Sequence, residues 1–196
     1  MTWILPETYH GLIFDCDGTL VDSMPSHYKA WVAALGRHNL ELTKTRFYEW
    51  AGMPIDVIIQ RLAQEQGLVI DAKSIATERD AYFHSLPSRD LRPVDAVVEI
   101  VRRYHGQYPM AVATGSTTAS ASTSLRSIGV LDLFDALVSA DDVGRPKPAP
   151  DIFLTAAQRI SVPPQECVVF EDGETGMQGA RLAGMHVVDV RPWIQR

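Results

Sequence analysis

Two aspartates, Asp15 and Asp17, stand one residue apart directly after the apolar run Gly11-Leu12-Ile13-Phe14. A carboxylate at the end of a buried segment is costly unless a cation or a polar ligand meets it. Three more groups of reactive residues follow: Thr114-Gly115-Ser116, Lys147 between two prolines, and Glu171-Asp172-Gly173. Each alone has an ordinary reading. An Asp-Gly pair makes an Asx turn. Thr114 and Ser116 can be helix N-caps. Glu171 and Asp172 can be favourable charge ahead of a helix, and most loop lysines are solvated. Four such groups on one rim of one sheet are hard to explain as capping.

Together they suit phosphoryl transfer. A phosphate ester is an anion and repels a carboxylate nucleophile, so a divalent cation must screen the two, and hard oxygen ligands select Mg²⁺. Asp15, Glu171 and Asp172 supply an acidic set for that metal, with Asp17 contributing through a backbone carbonyl. A helix N-terminus at Thr114, Gly115 and Ser116 suits non-bridging phosphate oxygens. Lys147 places fixed positive charge where negative charge accumulates. Asp15 is the expected nucleophile, forming an aspartyl-phosphate. Asp17 is the expected acid and then base, serving the leaving oxygen and then the attacking water.

These residues need a scaffold that ends several strands on one rim. Gly11 to Phe14 reads as a strand buried on both faces, as in a parallel sheet. From Val94 onward helical and strand-like stretches alternate. Val94, Val97, Val98 and Val101 mark a helix, Met110 to Ala113 a strand, and about 116–127 a helix stopped by Gly129. A strand over 134–140, a helix over 150–160, a strand at 167–170, a helix over 174–183 and a strand over 186–190 complete the pattern. Such alternation implies a doubly wound parallel α/β sheet, whose ligands sit at the carboxyl ends of the strands.

Residues 22 to about 87 break the alternation. Helical spacing covers 25–37, a short helix capped by Thr43 carries Phe47 and Trp50, Ile55 to Leu62 form a third, and Asp71 caps a fourth with Ile75, Arg79 and Phe83. Gly52-Met53-Pro54 interrupts the block, and 87–93, with Ser88, Arg89 and Asp90, reads as a return linker. The expected division is a sheet domain over 1–21 and 90–196 and a helical domain over 22–89.

The 196 residues include 46% hydrophobic and 21% charged side chains, which is globular composition. A net charge of −6 gives no basic footprint, so nucleic acid is not an expected partner. No apolar run is long enough to span a bilayer, and no membrane partner is expected. Residues 1–10 have no signal-peptide pattern, so the expected location is the cytoplasm. Cys16 and Cys167 lie in apolar runs and read as buried hydrophobes without a disulfide.

In order and spacing, Asp15-Cys16-Asp17-Gly18-Thr19, Thr114-Gly115-Ser116, Lys147 and Glu171-Asp172 resemble the four motifs of the haloacid dehalogenase superfamily. The resemblance covers nearly the whole chain. It implies a Rossmann-like core, a helical C1 cap between the first two motifs, and Mg²⁺ as cofactor. An aspartate at position 17 marks the phosphatase and phosphomutase branch. The tracts 147–153 and 169–172 are similar to the β-phosphoglucomutase and fructose-1-phosphatase-like subgroup, as is His27, ten residues beyond Asp17. In that subgroup a histidine couples cap closure to the acid/base aspartate, and Arg79 aligns with a basic cap residue, so both are candidate substrate-binding residues.

Phosphomutases of the subgroup grip a distal phosphate with a cap arginine. Ile55 stands near that place here, and the nearby cations are Lys44, Arg46 and Arg61. The resemblance therefore implies a monomeric Mg²⁺-dependent phosphatase of small sugar phosphates, the fructose 1-phosphate type among them. The alternatives are a β-phosphoglucomutase and a non-catalytic phospho-ligand binder.

Overall fold

The computed structural model describes residues 3–50, 53–86 and 91–194. Gly52 and the expected linker residues 87–90 lie outside them. The chain divides into two compact units, Met1–Asp22 with Leu91–Arg196, and Ser23–Asp90.

The first unit contains β1 (Gly11–Phe14), β2 (Val21–Asp22), β3 (Arg92–Pro93), α5 (Asp95–Tyr104), β4 (Met110–Ala113) and α6 (Thr118–Ser127). It continues with β5 (Ala136–Val138), α7 (Asp151–Arg159), β6 (Cys167–Glu171), α8 (Glu174–Leu182) and β7 (His186–Asp189). Five strands pair in the order β5-β4-β1-β6-β7, and every pairing is parallel. The chain starts at the middle strand, builds outward through β4 and β5, and returns to build the other half. The expected doubly wound α/β sheet is the one observed.

The period-two alternation hidden in the apolar runs sorts the two faces. Leu12 and Phe14, Met110 and Val112, and Val168 and Phe170 face a cluster with Val97, Val101, Ala121 and Leu125 of α5 and α6. Ile13, Ala111, Ala113, Cys167 and Val169 face Ile152, Phe153, Ala156 and Ala180 of α7 and α8. Helices on both faces explain why these strands carry no polar alternation. Phe14 and Phe170 stack with centroids 4.6 Å apart at the centre of the first cluster. Truncating either to alanine should cost about 3–5 kcal/mol.

Three sequence expectations need correction. The strand expected over 134–140 is only Ala136–Val138. Asp135 accepts from Met110 N at 2.7 Å on one side. On the other, a capping box between Ser139 and Asp142 starts a 3₁₀ turn over Ala140–Asp142. The helix expected from about 116 begins at Thr118, because the cap is Thr117. Asp22 belongs with the sheet unit, since β2 and β3 pair antiparallel through Val21 with Pro93 and Asp22 with Arg92. A ladder of two residues carries no periodicity, so the sequence showed a helix start and a linker there.

The second unit holds α1 (Met24–Gly36), α2 (Lys44–Glu49), α3 (Ile55–Glu65) and α4 (Ala72–Ser85). α4 packs on α1 and on α3. Trp31, Leu35, Phe47, Ile59, Leu62 and Ile75 form the core. Both expected caps are made: Thr43 accepts from Arg46 N, and Asp71 accepts from Lys73 N and Ser74 N. Among the described residues no helix is long and apolar enough to cross a membrane.

Candidate active site

Asp15 follows the last residue of β1, and its amide continues the ladder onto Phe170 O at 3.0 Å. The chain then turns tightly. Cys16 O accepts from Leu20 N and Val21 N, each at 3.0 Å, and Gly18 N donates to Val21 O at 2.8 Å. Gly18 sits at φ +95, a region that glycine enters without strain. A Cβ there would also lie 2.3 Å from Asp172 Oδ2. This turn therefore brings the first motif against the fourth. Thr19, fully buried, seals the contact by donating from Oγ1 to Asp172 Oδ1 at 3.1 Å.

Lys147 reaches the same place from the loop before α7. Its side chain is 8% exposed, and Nζ donates to Asp15 Oδ1 and to Glu171 Oε2, each at 2.7 Å. The ring of Phe153 lies beneath it, 5.1 Å from Nζ to centroid. Burial works against the ammonium charge, but Asp15 and Glu171 outweigh it and hold Lys147 above the ordinary lysine range. Glu171, the last residue of β6, spends its other oxygen on backbone. Oε1 accepts from Asp172 N at 3.1 Å and Gly173 N at 2.9 Å. Its ordinary reading, charge ahead of a helix, is thus partly true, since α8 begins at Glu174.

Three carboxylates converge here: oxygens of Asp15, Glu171 and Asp172 lie within 4.8 Å of one another. Burial first, and the Glu171 charge second, push the Asp15 carboxyl up to about 7. Burial likewise raises Glu171, with Lys147 pulling the other way. One lysine does not balance this much acid. An all-oxygen donor set with surplus negative charge is what a hard divalent cation takes, so the residues present fit a metal of that kind. Asp17, expected to reach the metal through its backbone carbonyl, has its side chain outside this trio. Its Oδ2 accepts from Ser116 Oγ at 2.6 Å.

Thr114 follows β4 and is buried, with its amide on Val138 O at 2.9 Å. Its Oγ1 accepts from Ser116 N at 3.1 Å. Neither Thr114 nor Ser116 caps α6: Thr117 does, accepting from Ser120 N, while Asp141 takes Thr118 N at 2.8 Å. Gly115 is exposed between them. The hydroxyls expected at a helix N-terminus therefore order the turn before the helix and hold Asp17.

Of the expected site residues, the structure joins Asp15, Lys147, Glu171 and Asp172, and links Asp17 to Ser116 and Ser116 to Thr114. His27 and Arg79 lie in the helical unit and are buried, 6% and 7% exposed. The His27 ring stacks on Phe83 with centroids 4.0 Å apart. The Arg79 guanidinium contacts His27 Nδ1, pairs with Asp80 at 2.6 Å, and lies 5.6 Å from the ring centroids of Trp31 and Phe83. A guanidinium has only donors, so Nδ1 accepts and the ring proton sits on Nε2. Thr19 and Phe153 were missed as site residues. Thr19 lay inside a quoted motif, but nothing in sequence shows which carboxylate its hydroxyl would meet.

Known proteins resemble the chain in sequence and in fold. The chain is 43% identical over 185 residues to fructose-1-phosphate phosphatase of Escherichia coli, covering 94% of this chain and 98% of that one. It is 28% identical over 178 residues to a phosphorylated carbohydrates phosphatase of Thermotoga maritima, covering 89% and 81%. The fold superposes on a β-phosphoglucomutase crystal structure from Clostridium difficile with TM-score 0.80 at 22% identity, covering 92% and 84%, a likeness that bears on fold alone. The model of haloacid dehalogenase-like hydrolases matches residues 9–184, a span that takes in every reactive residue of the sheet unit, and the chain belongs to that family.

Proposed function

We propose that the chain is a Mg²⁺-dependent phosphatase of small sugar phosphates, with fructose 1-phosphate its first candidate substrate. The observation that carries this reading is Lys147 bonded at once to Asp15 and Glu171, beside an Asp17 held separately by Ser116. One carboxylate is thus embedded in a charged cluster while its neighbour in sequence is left for proton transfer. The relative at 43% identity carries the matching substrate in its name.

Asp15 attacks phosphorus through a carboxylate oxygen. The ester P–O bond breaks, and a proton from Asp17 goes to the departing sugar oxygen. The aspartyl-phosphate is then hydrolysed by water, whose proton Asp17 takes back, and inorganic phosphate leaves. Ser116 holds the Asp17 carboxylate in one orientation for both transfers. Lys147 offsets negative charge on the phosphoryl oxygens. Asp15, Asp172 and Glu171 are the side chains that would hold the metal, with the backbone near Asp17. When bound, Mg²⁺ supplies charge screening between carboxylate and phosphate. Monomeric state and cytoplasmic location remain parts of the proposal.

The helical unit, by the same reading, is the cap that selects the sugar. The sheet-unit groups recognise only a phosphoryl group and its leaving oxygen, so discrimination among sugars has to come from elsewhere. Ile55 supplies no charge for a second phosphate, whose burial calls for charge-assisted, preferably bidentate partners. Water is therefore the expected acceptor of the phosphoryl group.

Phosphorus NMR of a reaction with β-glucose 1-phosphate, primed with glucose 1,6-bisphosphate and run beside fructose 1-phosphate, tests this. Inorganic phosphate is the expected product of both. Glucose 6-phosphate accumulating faster than inorganic phosphate would promote a mutase. No phosphate release from these esters or from p-nitrophenyl phosphate would leave a ligand-binding protein.

A further inference from the structure

Gly176 lies in the first turns of α8, in backbone that any residue adopts. Nothing in that conformation requires glycine, and alanine is the better helix former. The requirement comes from Glu171. A Cβ on Gly176 would lie 2.0 Å from Glu171 Oε2, 2.3 Å from its Cδ and 2.8 Å from its Cγ.

Neither side has room to yield. Glu171 is 3% exposed, with Oε1 on two backbone amides and Oε2 on Lys147. The helix is seated closely as well. A Cβ on Gly179 would lie 3.1 Å from Pro148 O and 3.2 Å from Ala149 O, in the segment that carries Lys147. Drawing α8 back would loosen that contact, and turning Glu171 aside would break its amide bonds or its ion pair.

We propose that Gly176 is a positioning residue for the phosphoryl transfer. Its missing side chain lets the Glu171 carboxylate lie against α8, and Glu171 in turn holds the Lys147 ammonium against Asp15. The inference rests on the phosphatase reading for its catalytic consequence, but not for the contact itself. Gly176 touches no reacting atom; it acts through Glu171.

The test is a cycle of Gly176→Ala, Glu171→Asp and the double variant, in the full chain. Aspartate is one methylene shorter and withdraws the carboxylate from the space that a Cβ would fill. Gly176→Ala should lower kcat on p-nitrophenyl phosphate by about 10²-fold, with KM changed far less, because a displacement near 1 Å at the reacting groups costs that much. Glu171→Asp alone should also lower kcat. The double variant should be more active than Gly176→Ala alone, whereas independent effects would multiply and leave it the least active of the four.

Melting temperatures of the same four proteins should show the same compensation. If Gly176→Ala does not fold, a folded double variant supports the proposal and an unfolded one overturns it. Unchanged kcat in Gly176→Ala, or a double variant that is worst in both measurements, overturns it too. A parent protein inactive on every phosphate ester would refute the phosphatase reading instead. The melting cycle needs no substrate and then still decides whether Gly176 and Glu171 are coupled.

Discussion

Asp15 is the proposed nucleophile, and its environment yields two tests. Replacing it by asparagine keeps the shape and removes the attacking charge. Turnover of p-nitrophenyl phosphate by Asp15→Asn should fall about 10⁴-fold or more, as for loss of a nucleophile elsewhere, with the circular dichroism spectrum unchanged. Activity near that of the parent would refute the covalent route. The second test is pH. The Asp15 carboxyl titrates at about 7 in the folded protein against 3.8 ordinarily. Between those values the folded state holds a proton that the unfolded chain has released. That contribution to stability is fully present below 3.8 and is lost as pH rises through about 7. In chelator, the melting temperature of Asp15→Asn minus that of the parent should therefore grow from pH 4 to pH 7. A difference independent of pH would show that Asp15 is not destabilised as a buried anion.

At the scale of elements, the ends of β1 and β6 and the loop before α7 bring Asp15, Glu171, Asp172 and Lys147 together, and the helical unit holds its own buried charge. Arg79 bonds His27 within a shell of Trp31 and Phe83. Arg79→Met keeps most of the apolar volume but removes the guanidinium bond to His27 Nδ1 and the pair with Asp80. The cost should be about 1.5–3 kcal/mol, the usual contribution of a hydrogen bond to a charged group. Urea unfolding followed by tryptophan fluorescence measures it, since Trp31 is adjacent. If the unit selects the sugar, substitutions at Met53, Ile55 or Arg79 should reorder a panel of sugar phosphates more than they change hydrolysis of p-nitrophenyl phosphate. Equal effects on both substrate types would count against the cap role.

The whole molecule carries a net charge of −6 and gathers part of that acid at one rim of its sheet. Without a divalent cation, Asp15, Glu171 and Asp172 repel one another and an incoming phosphate. Exhaustive chelation should abolish activity and Mg²⁺ should restore it, while Ca²⁺ should inhibit because its looser coordination misplaces the nucleophile. Saturating Mg²⁺ should also raise the melting temperature, since a ligand at about 100 times its Kd adds about 2.7 kcal/mol. Full activity after chelation, or a melting temperature indifferent to Mg²⁺, would remove the metal from the proposal.

Much of this was legible in the chain itself. Period and punctuation determined the strands β1, β4, β6 and β7, the helices between them, and the caps Thr43 and Asp71, because those signals are local. The order of Asp15, Thr114, Lys147 and Glu171 pointed to one rim, because alternating strands and helices can only wind one way. Other features depended on contacts between distant positions. Asp17 and Ser116 are 99 residues apart, and Asp15 and Lys147 are 132 apart. No local pattern says that Ser116 takes Asp17 while Asp15 takes the lysine, or that Thr117 relieves its neighbours of capping. β5 was overrun because Asp135 and Ser139 stop it through side-chain hydrogen bonds, which hydrophobicity does not register. Which partner each of these side chains takes is a property of packing between distant segments, and only the folded sheet decided it.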